Sequence, residues 1–137
     1  MSTTPDTTVR TGGCLCGQIR FTVTGDPDYP HVCSCTHCKT LSGGPMMAWV
    51  SFNLGGFTWT GPGGEPSWHY TWPVSKRGFC PDCGSQVCAQ DDGAESIALT
   101  FFALDDSADL VPVNQSFRDD AVSWLPQISN TQHSTVA

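Results

Sequence analysis

A mostly β fold follows from three observations. Apolar residues alternate with polar ones over short stretches, glycine-rich segments punctuate them, and helical periodicity is confined to short pieces. Ile19, Phe21 and Val23 alternate with Arg20, Thr22 and Thr24, and Trp68, Tyr70 and Trp72 alternate with His69 and Thr71. Each set reads as a strand with one buried face. Further strands are expected at 46–52, 57–60, 85–89 and 96–103, separated by Gly43-Gly44, Gly55-Gly56, Gly61-Pro62-Gly63-Gly64 and Asp92-Gly93. Short helical turns are expected at 36–41 and at 119–125, the second stopped by Pro126.

A length of 137 residues fits one domain. The ends, 1–11 and 129–137, are polar and aperiodic and read as flexible segments flanking a single domain at 12–128. Thirteen acidic against six basic residues give a net charge of −7, which leaves no dense cationic stripe for a phosphate backbone. The longest uninterrupted apolar run, 46–50, is far shorter than a bilayer span of roughly 20 residues. Neither nucleic acid nor a membrane is therefore expected as a partner. The N-terminus lacks a basic region followed by an apolar one, so a cytoplasmic location is expected.

The eight cysteines are bunched as Cys14-x-Cys16, Cys33-x-Cys35-x-x-Cys38 and Cys80-x-x-Cys83, with Cys88 alone. Cytosolic thiols stay reduced, so such spacing favours metal ligation over disulfides. C-x-C and C-x-x-C place two sulfurs on one side of a tight turn, which suits tetrahedral zinc at ~2.3 Å. An iron–sulfur cluster fits less well, because the three-cysteine group matches neither common ferredoxin run. Seven clustered thiols divide as four plus three. Zinc sites closed by four protein ligands are structural, whereas three ligands leave a position for water or substrate. Cys14, Cys16, Cys80 and Cys83 are expected to form the closed site, and Cys33, Cys35 and Cys38 the open, catalytic one. In the competing assignment, His37 or Cys88 completes a second closed site and both ions only hold loops. Cys88 in Val87-Cys88-Ala89 otherwise reads as a small buried hydrophobe. The glycines of Gly12-Gly13-Cys14-Leu15-Cys16-Gly17, and Pro81 with Gly84 in the later pair, let the backbone bend around the sulfurs.

The strings GGCLCGQIRF from Gly12, CSCTHCKTLSGG from Cys33 and SKRGFCPDCGSQV from Ser75 resemble the glutathione-dependent formaldehyde-activating enzyme family, which includes the centromere protein V relatives. The likeness runs from about Gly12 to Val87. It implies a β-tent-like fold of packed antiparallel sheets, a closed zinc at Cys14, Cys16, Cys80 and Cys83, and a second zinc at Cys33, Cys35 and Cys38. Many relatives carry a Pro-x-x-His element near the C-terminus, where this chain reads Pro112-Val113-Asn114-Gln115.

Three thiolates leave Zn²⁺ with a net charge of −1, a weak Lewis acid suited to binding a further thiolate. That chemistry, with the resemblance, implies a carbon–sulfur lyase forming or cleaving S-hydroxymethylglutathione from formaldehyde and glutathione, or a related thioether. A non-catalytic zinc-stabilised binding module is the alternative. Two zincs per chain and a thiol co-substrate such as glutathione are expected, in a monomer or homodimer. Arg20, Lys39, Lys76 and Arg77 lie within four positions of a ligand cysteine, which suggests a locally cationic rim. Of these, Lys39 and Arg77 are the candidate contacts for substrate carboxylates; the other role open to them is offsetting thiolate charge. His69 reads as a strand-surface histidine or a proton shuttle. Trp59, Trp68 and Trp72 read as core or as a cavity wall, and Trp124 as a core aromatic.

Overall fold

The computed structural model describes residues 6–131. Residues 1–5 and 132–137, the outer parts of the two expected flexible ends, lie outside that range. Among the described residues, ten strands form two sheets. The smaller contains β1 (Val9–Gly13), β2 (Arg20–Thr24) and β5 (Phe57–Trp59), in the order β1-β2-β5 and antiparallel throughout. The larger contains β3 (Asp28–Cys33), β4 (Met47–Asn53), β6 (Ser67–Trp72), β7 (Ser75–Phe79), β8 (Gln86–Asp91), β9 (Ser96–Thr100) and β10 (Gln115–Ser116). Its order is β10-β3-β4-β9-β8-β7-β6, antiparallel except where β10 runs parallel to β3. One helix, α1 (Thr36–Ser42), joins β3 to β4. The expected mostly β class, with packed antiparallel sheets and short helical pieces, holds.

Phe21 and Val23, the inward residues of β2, are fully buried and meet Val50, Phe52, Val87, Ile97 and Leu99 of the large sheet in the main core. Alternation along β4 explains why its sequence is almost continuously apolar. Ala48, Val50 and Phe52 face that core, while Met47 and Trp49 join Cys33 and Cys38 in a second buried cluster on the opposite face. Cross-strand register extends both faces: Val50, Leu99, Cys88, Gly78 and Trp68 align in one row, and Ser51, Ala98, Ala89, Arg77 and His69 in the next. Ala98, Ala89 and Arg77 of the second row line a cavity on that face.

Several elements differ from expectation. β1 begins at Val9, within the segment assigned to the N-terminal end. The strand expected to reach residue 103 stops at Thr100 and turns into a 3₁₀ helix, Phe101–Ala103. The late helical turn shortens to a 3₁₀ turn, Arg118–Asp120, and Trp124 beyond it is 71% exposed rather than in the core. No helix among the described residues is long and apolar enough to cross a membrane.

Candidate metal centres

The two cysteine groups converge in space as four and three. The sulfurs of Cys14, Cys16, Cys80 and Cys83 all lie within 4.8 Å of one another, and so do those of Cys33, Cys35 and Cys38. All eight cysteines are free thiols. Four sulfurs at ~2.3 Å from a tetrahedral ion stand ~3.8 Å apart. The Cys14–Cys16 and Cys16–Cys80 separations, both 3.6 Å, fit that spacing and exceed a disulfide bond of ~2.05 Å. The donor set therefore fits zinc on geometry as well as on chemistry.

Two similar loops build the four-thiol cluster. In the first, which closes the β1–β2 hairpin, the Cys14 N–H donates to the Ile19 carbonyl at 2.9 Å and the Ile19 N–H donates to Cys14 Sγ at 3.2 Å. Gly17 turns the chain at φ +85°. In the second, the Cys80 N–H donates to the Ser85 carbonyl and Gly84 turns at φ +79°. Ser85 links the loops: its Oγ accepts from the Leu15 N–H at 3.0 Å and lies 3.2 Å from Cys83 Sγ. The Ser85 hydroxyl and N–H bring the Cys83 thiol down to about 5, so this sulfur is stabilised as a thiolate ligand.

The three-thiol cluster sits where β3 ends and α1 begins. Cys33 closes the strand; Cys35 caps the helix, its Sγ accepting from the Cys38 N–H at 3.3 Å; and Cys38 lies buried in the first turns. Hydrogen bonding from the Cys33 thiol first, then from Trp49, together with the charge of Arg77, brings Cys38 down to about 5. Cys33 is pushed up by that same bond and by burial. The Arg77 guanidinium reaches Cys38 Sγ at 3.5 and 3.6 Å, lies 3.7 Å from Met47 Sδ, and sits 5.3 Å over the Trp49 ring.

A cavity of about 540 Å³ opens directly on this cluster. Cys33, Cys35 and Cys38 line it, and none of the other four clustered cysteines does. Ala89 and Ala98, opposed in register, leave room beneath it, while Trp49, Trp72, Phe117 and Arg77 also contribute to its walls. His31 lines it as well. Its Nδ1 donates to the Tyr29 carbonyl at 2.8 Å, which fixes the ring's orientation.

Neither His37 nor Cys88 belongs to the three-thiol cluster. His37 stacks on Trp72 with ring centroids 4.6 Å apart, and Cys88 packs in the main core across from Leu99. Cys88 is therefore remote from the cluster, whereas His37 lines the same cavity as the three cysteines and its Nδ1 is buried without a hydrogen-bond partner among the described residues. Arg77 stands at the cavity, whereas Lys39 is absent from its lining and donates to the Asp120 carbonyl, tying α1 to the 3₁₀ turn. The cationic rim contracts to Arg77: Arg20 pairs with Asp105, and Lys76 lies 4.4 Å over Trp68. His69 lies outside this cavity lining, Trp59 and Trp68 pack against the main core, and Trp72 is a wall.

Sequence reasoning did not find Trp49, Phe117, His31 or Gln115. Gln115, 2% exposed, donates to Ser34 Oγ at 2.8 Å and accepts from the Ile128 N–H at 2.8 Å, supporting the loop between Cys33 and Cys35. It stands last in Pro112-Val113-Asn114-Gln115, the segment that departs from the Pro-x-x-His element of many resembling sequences. That departure was the available signal.

A crystal structure of a Rhodobacter sphaeroides protein has a similar fold, with a TM-score of 0.59 at 18% identity over 77% of this chain and 99% of that one. No curated protein sequence matches. The model of the glutathione-dependent formaldehyde-activating enzyme family matches residues 9–120, spanning both cysteine clusters and the cavity walls. On that match, the chain belongs to the glutathione-dependent formaldehyde-activating enzyme family.

Proposed function

We propose that this protein is a carbon–sulfur lyase acting on thiol adducts, of which S-hydroxymethylglutathione is the family's type. One observation carries the reading: of two thiol clusters with zinc-like spacing, the one with three sulfurs lines the cavity. The roles assigned are a structural zinc for Cys14, Cys16, Cys80 and Cys83, and a reactive one for Cys33, Cys35 and Cys38. When bound there, zinc supplies a soft electrophilic position that lowers the pKa of a substrate thiol.

The chain's own side chains supply the rest. Arg77 donates to Cys38 and offsets the charge of the sulfur cluster. Trp49, with Ala89 and Ala98, limits water around the reacting carbon. The role assigned to His31, a cavity residue whose Nδ1 is committed to the Tyr29 carbonyl, is to accept a hydrogen bond from the adduct hydroxyl through Nε2. In the cleavage direction the hydroxyl gives up its proton, the carbonyl forms, and the carbon–sulfur bond pair leaves on sulfur. The reverse sequence makes the adduct, and no oxidant or reductant enters.

Metal analysis and turnover of S-hydroxymethylglutathione and related thioethers test the reading. Two zincs per chain and catalysed turnover are expected, with Cys35→Ser losing the second zinc and at least 100-fold in activity. Two zincs with no turnover of any adduct, and a Cys35→Ser variant altered only in stability, would sink it.

A further inference from the structure

The cavity offers little cationic charge for glutathione, which carries two carboxylates and one ammonium, a net charge of −1 with the thiol protonated. The chain has six Lys and Arg residues, and each is already engaged. Arg10 pairs with Asp109 and Arg20 with Asp105, while Lys39 donates to the Asp120 carbonyl. Lys76 covers Trp68, and Arg118 donates to Asn114, Gln127 and the Ile128 carbonyl. Arg77 alone among them lines the cavity, held between Cys38 and Trp49, and the acidic residue Asp120 lines it too. Glutathione's ammonium could meet Asp120 or one of its own carboxylates, which still leaves at least one carboxylate entering without a free cationic partner.

The walls are instead matched to a flat apolar group. Trp49 is buried on one side, and Trp72 and Phe117, 58% and 60% exposed, stand as aromatics nearer solvent. Phe117 holds φ 57° and ψ 49°, a left-handed conformation unfavourable for a bulky residue. Such strain persists where the surrounding structure imposes it, often at ligand clamps. Hydrogen bonding on either side holds it: before it the Ser116 carbonyl accepts from the Ser34 N–H at 3.0 Å, and after it the Asp120 N–H donates to the Phe117 carbonyl at 3.0 Å and Arg118 is anchored at three points. Ala89 and Ala98 leave space that a one-carbon hydroxymethyl group would not fill.

We propose that the preferred substrate is the hemithioacetal of an aromatic aldehyde with an uncharged thiol, aryl–CH(OH)–S–R. Cleavage gives aryl–CHO and R–SH: the carbon–sulfur bond breaks with its electron pair on sulfur, and the hydroxyl proton is the one gained by the released thiol. The reaction step rests on the lyase reading, whereas the ligand class rests on the cavity walls and the engaged cations. One aromatic pair contributes roughly 2- to 13-fold in affinity.

The experiment uses the two-zinc protein and two uncleavable probes, benzyl 2-hydroxyethyl sulfide and S-methylglutathione, titrated by tryptophan fluorescence and calorimetry. In parallel, turnover is compared for benzaldehyde with 2-mercaptoethanol and for formaldehyde with glutathione. The aryl sulfide is expected to bind at least 10-fold more tightly. Phe117→Ala should weaken it about 5-fold with both zincs retained, and Trp72→Arg, which adds a cation at an exposed wall, should shift preference toward S-methylglutathione. Equal or tighter binding of S-methylglutathione, or binding of neither probe, overturns the proposed ligand class. A retained aryl preference without turnover of any adduct supports that class and removes the lyase reading.

Discussion

Burial pushes the Cys88 thiol up to about 12, keeping it protonated and apolar where its neighbours are Leu99 and Gly78. Cys88→Ser puts a hydroxyl into the apolar core, where the polar group that meets the thiol is the Gly78 backbone, so a loss of about 1–3 kcal/mol is expected in urea unfolding. Cys88→Ala should cost less, and both variants should retain the zinc content of the parent. The same site explains a glycine. A Cβ on Gly78 would lie 2.6 Å from Cys88 Sγ and 2.7 Å from Pro66 Cγ, which only a hydrogen avoids. Residue chemistry was most legible at the clustered cysteines, because ligand spacing is local. Trp49 and Phe117 act across long separations, and nothing beside them in the sequence marks the sulfurs they serve, while Gln115 is marked by its segment alone.

At the scale of elements, β4 was legible and β7 was not, for opposite reasons. An unbroken apolar run signals burial on both faces, which β4 has. Ser-Lys-Arg-Gly-Phe carries little strand propensity, and register with β6 and β8 overrides it. β10 is two residues long, and its parallel pairing with β3 is long-range, so no local pattern announces it. It nevertheless positions Gln115 under the Cys33–Cys35 loop. Gln115→Leu is expected to weaken the second zinc 10- to 100-fold in chelator competition while leaving the first unchanged; equal weakening of both sites would show a general loss of fold instead. Asp105 joins the strands of the small sheet, accepting from Arg20 of β2 and Thr11 of β1. Hydrogen bonding from Arg20, then Thr11, lowers its carboxyl from 3.8 to about 2. Because the folded pKa is the lower one, the contribution is complete above about 4 and disappears as pH falls through about 2. Asp105→Asn should therefore cost about 1 kcal/mol at neutral pH, given the pair's exposure, with the difference from the parent closing across that acid window.

The two clusters play unequal parts in the whole molecule. Cys16 and Cys80 are 64 positions apart, and the loops holding them belong to the β1–β2 hairpin of the small sheet and the β7–β8 connection of the large one. An ion there would tie the two sheets together, so its binding energy would contribute directly to folding. Cys33, Cys35 and Cys38 span six positions at one corner, so they close almost no chain and would contribute little to global stability. Order of metal loss should follow from this asymmetry as much as from ligand number. Graded chelation is expected to remove the second zinc first with a shift in Tm of a few degrees, and the first zinc only as the protein unfolds. Cys80→Ser should lower Tm by more than about 10 °C or prevent folding, against a few degrees for Cys35→Ser. Scanning calorimetry beside zinc analysis checks both. Release of the four-thiol metal ahead of the other, or equal Tm losses in the two variants, would mean that the sheets are held by their shared apolar core alone.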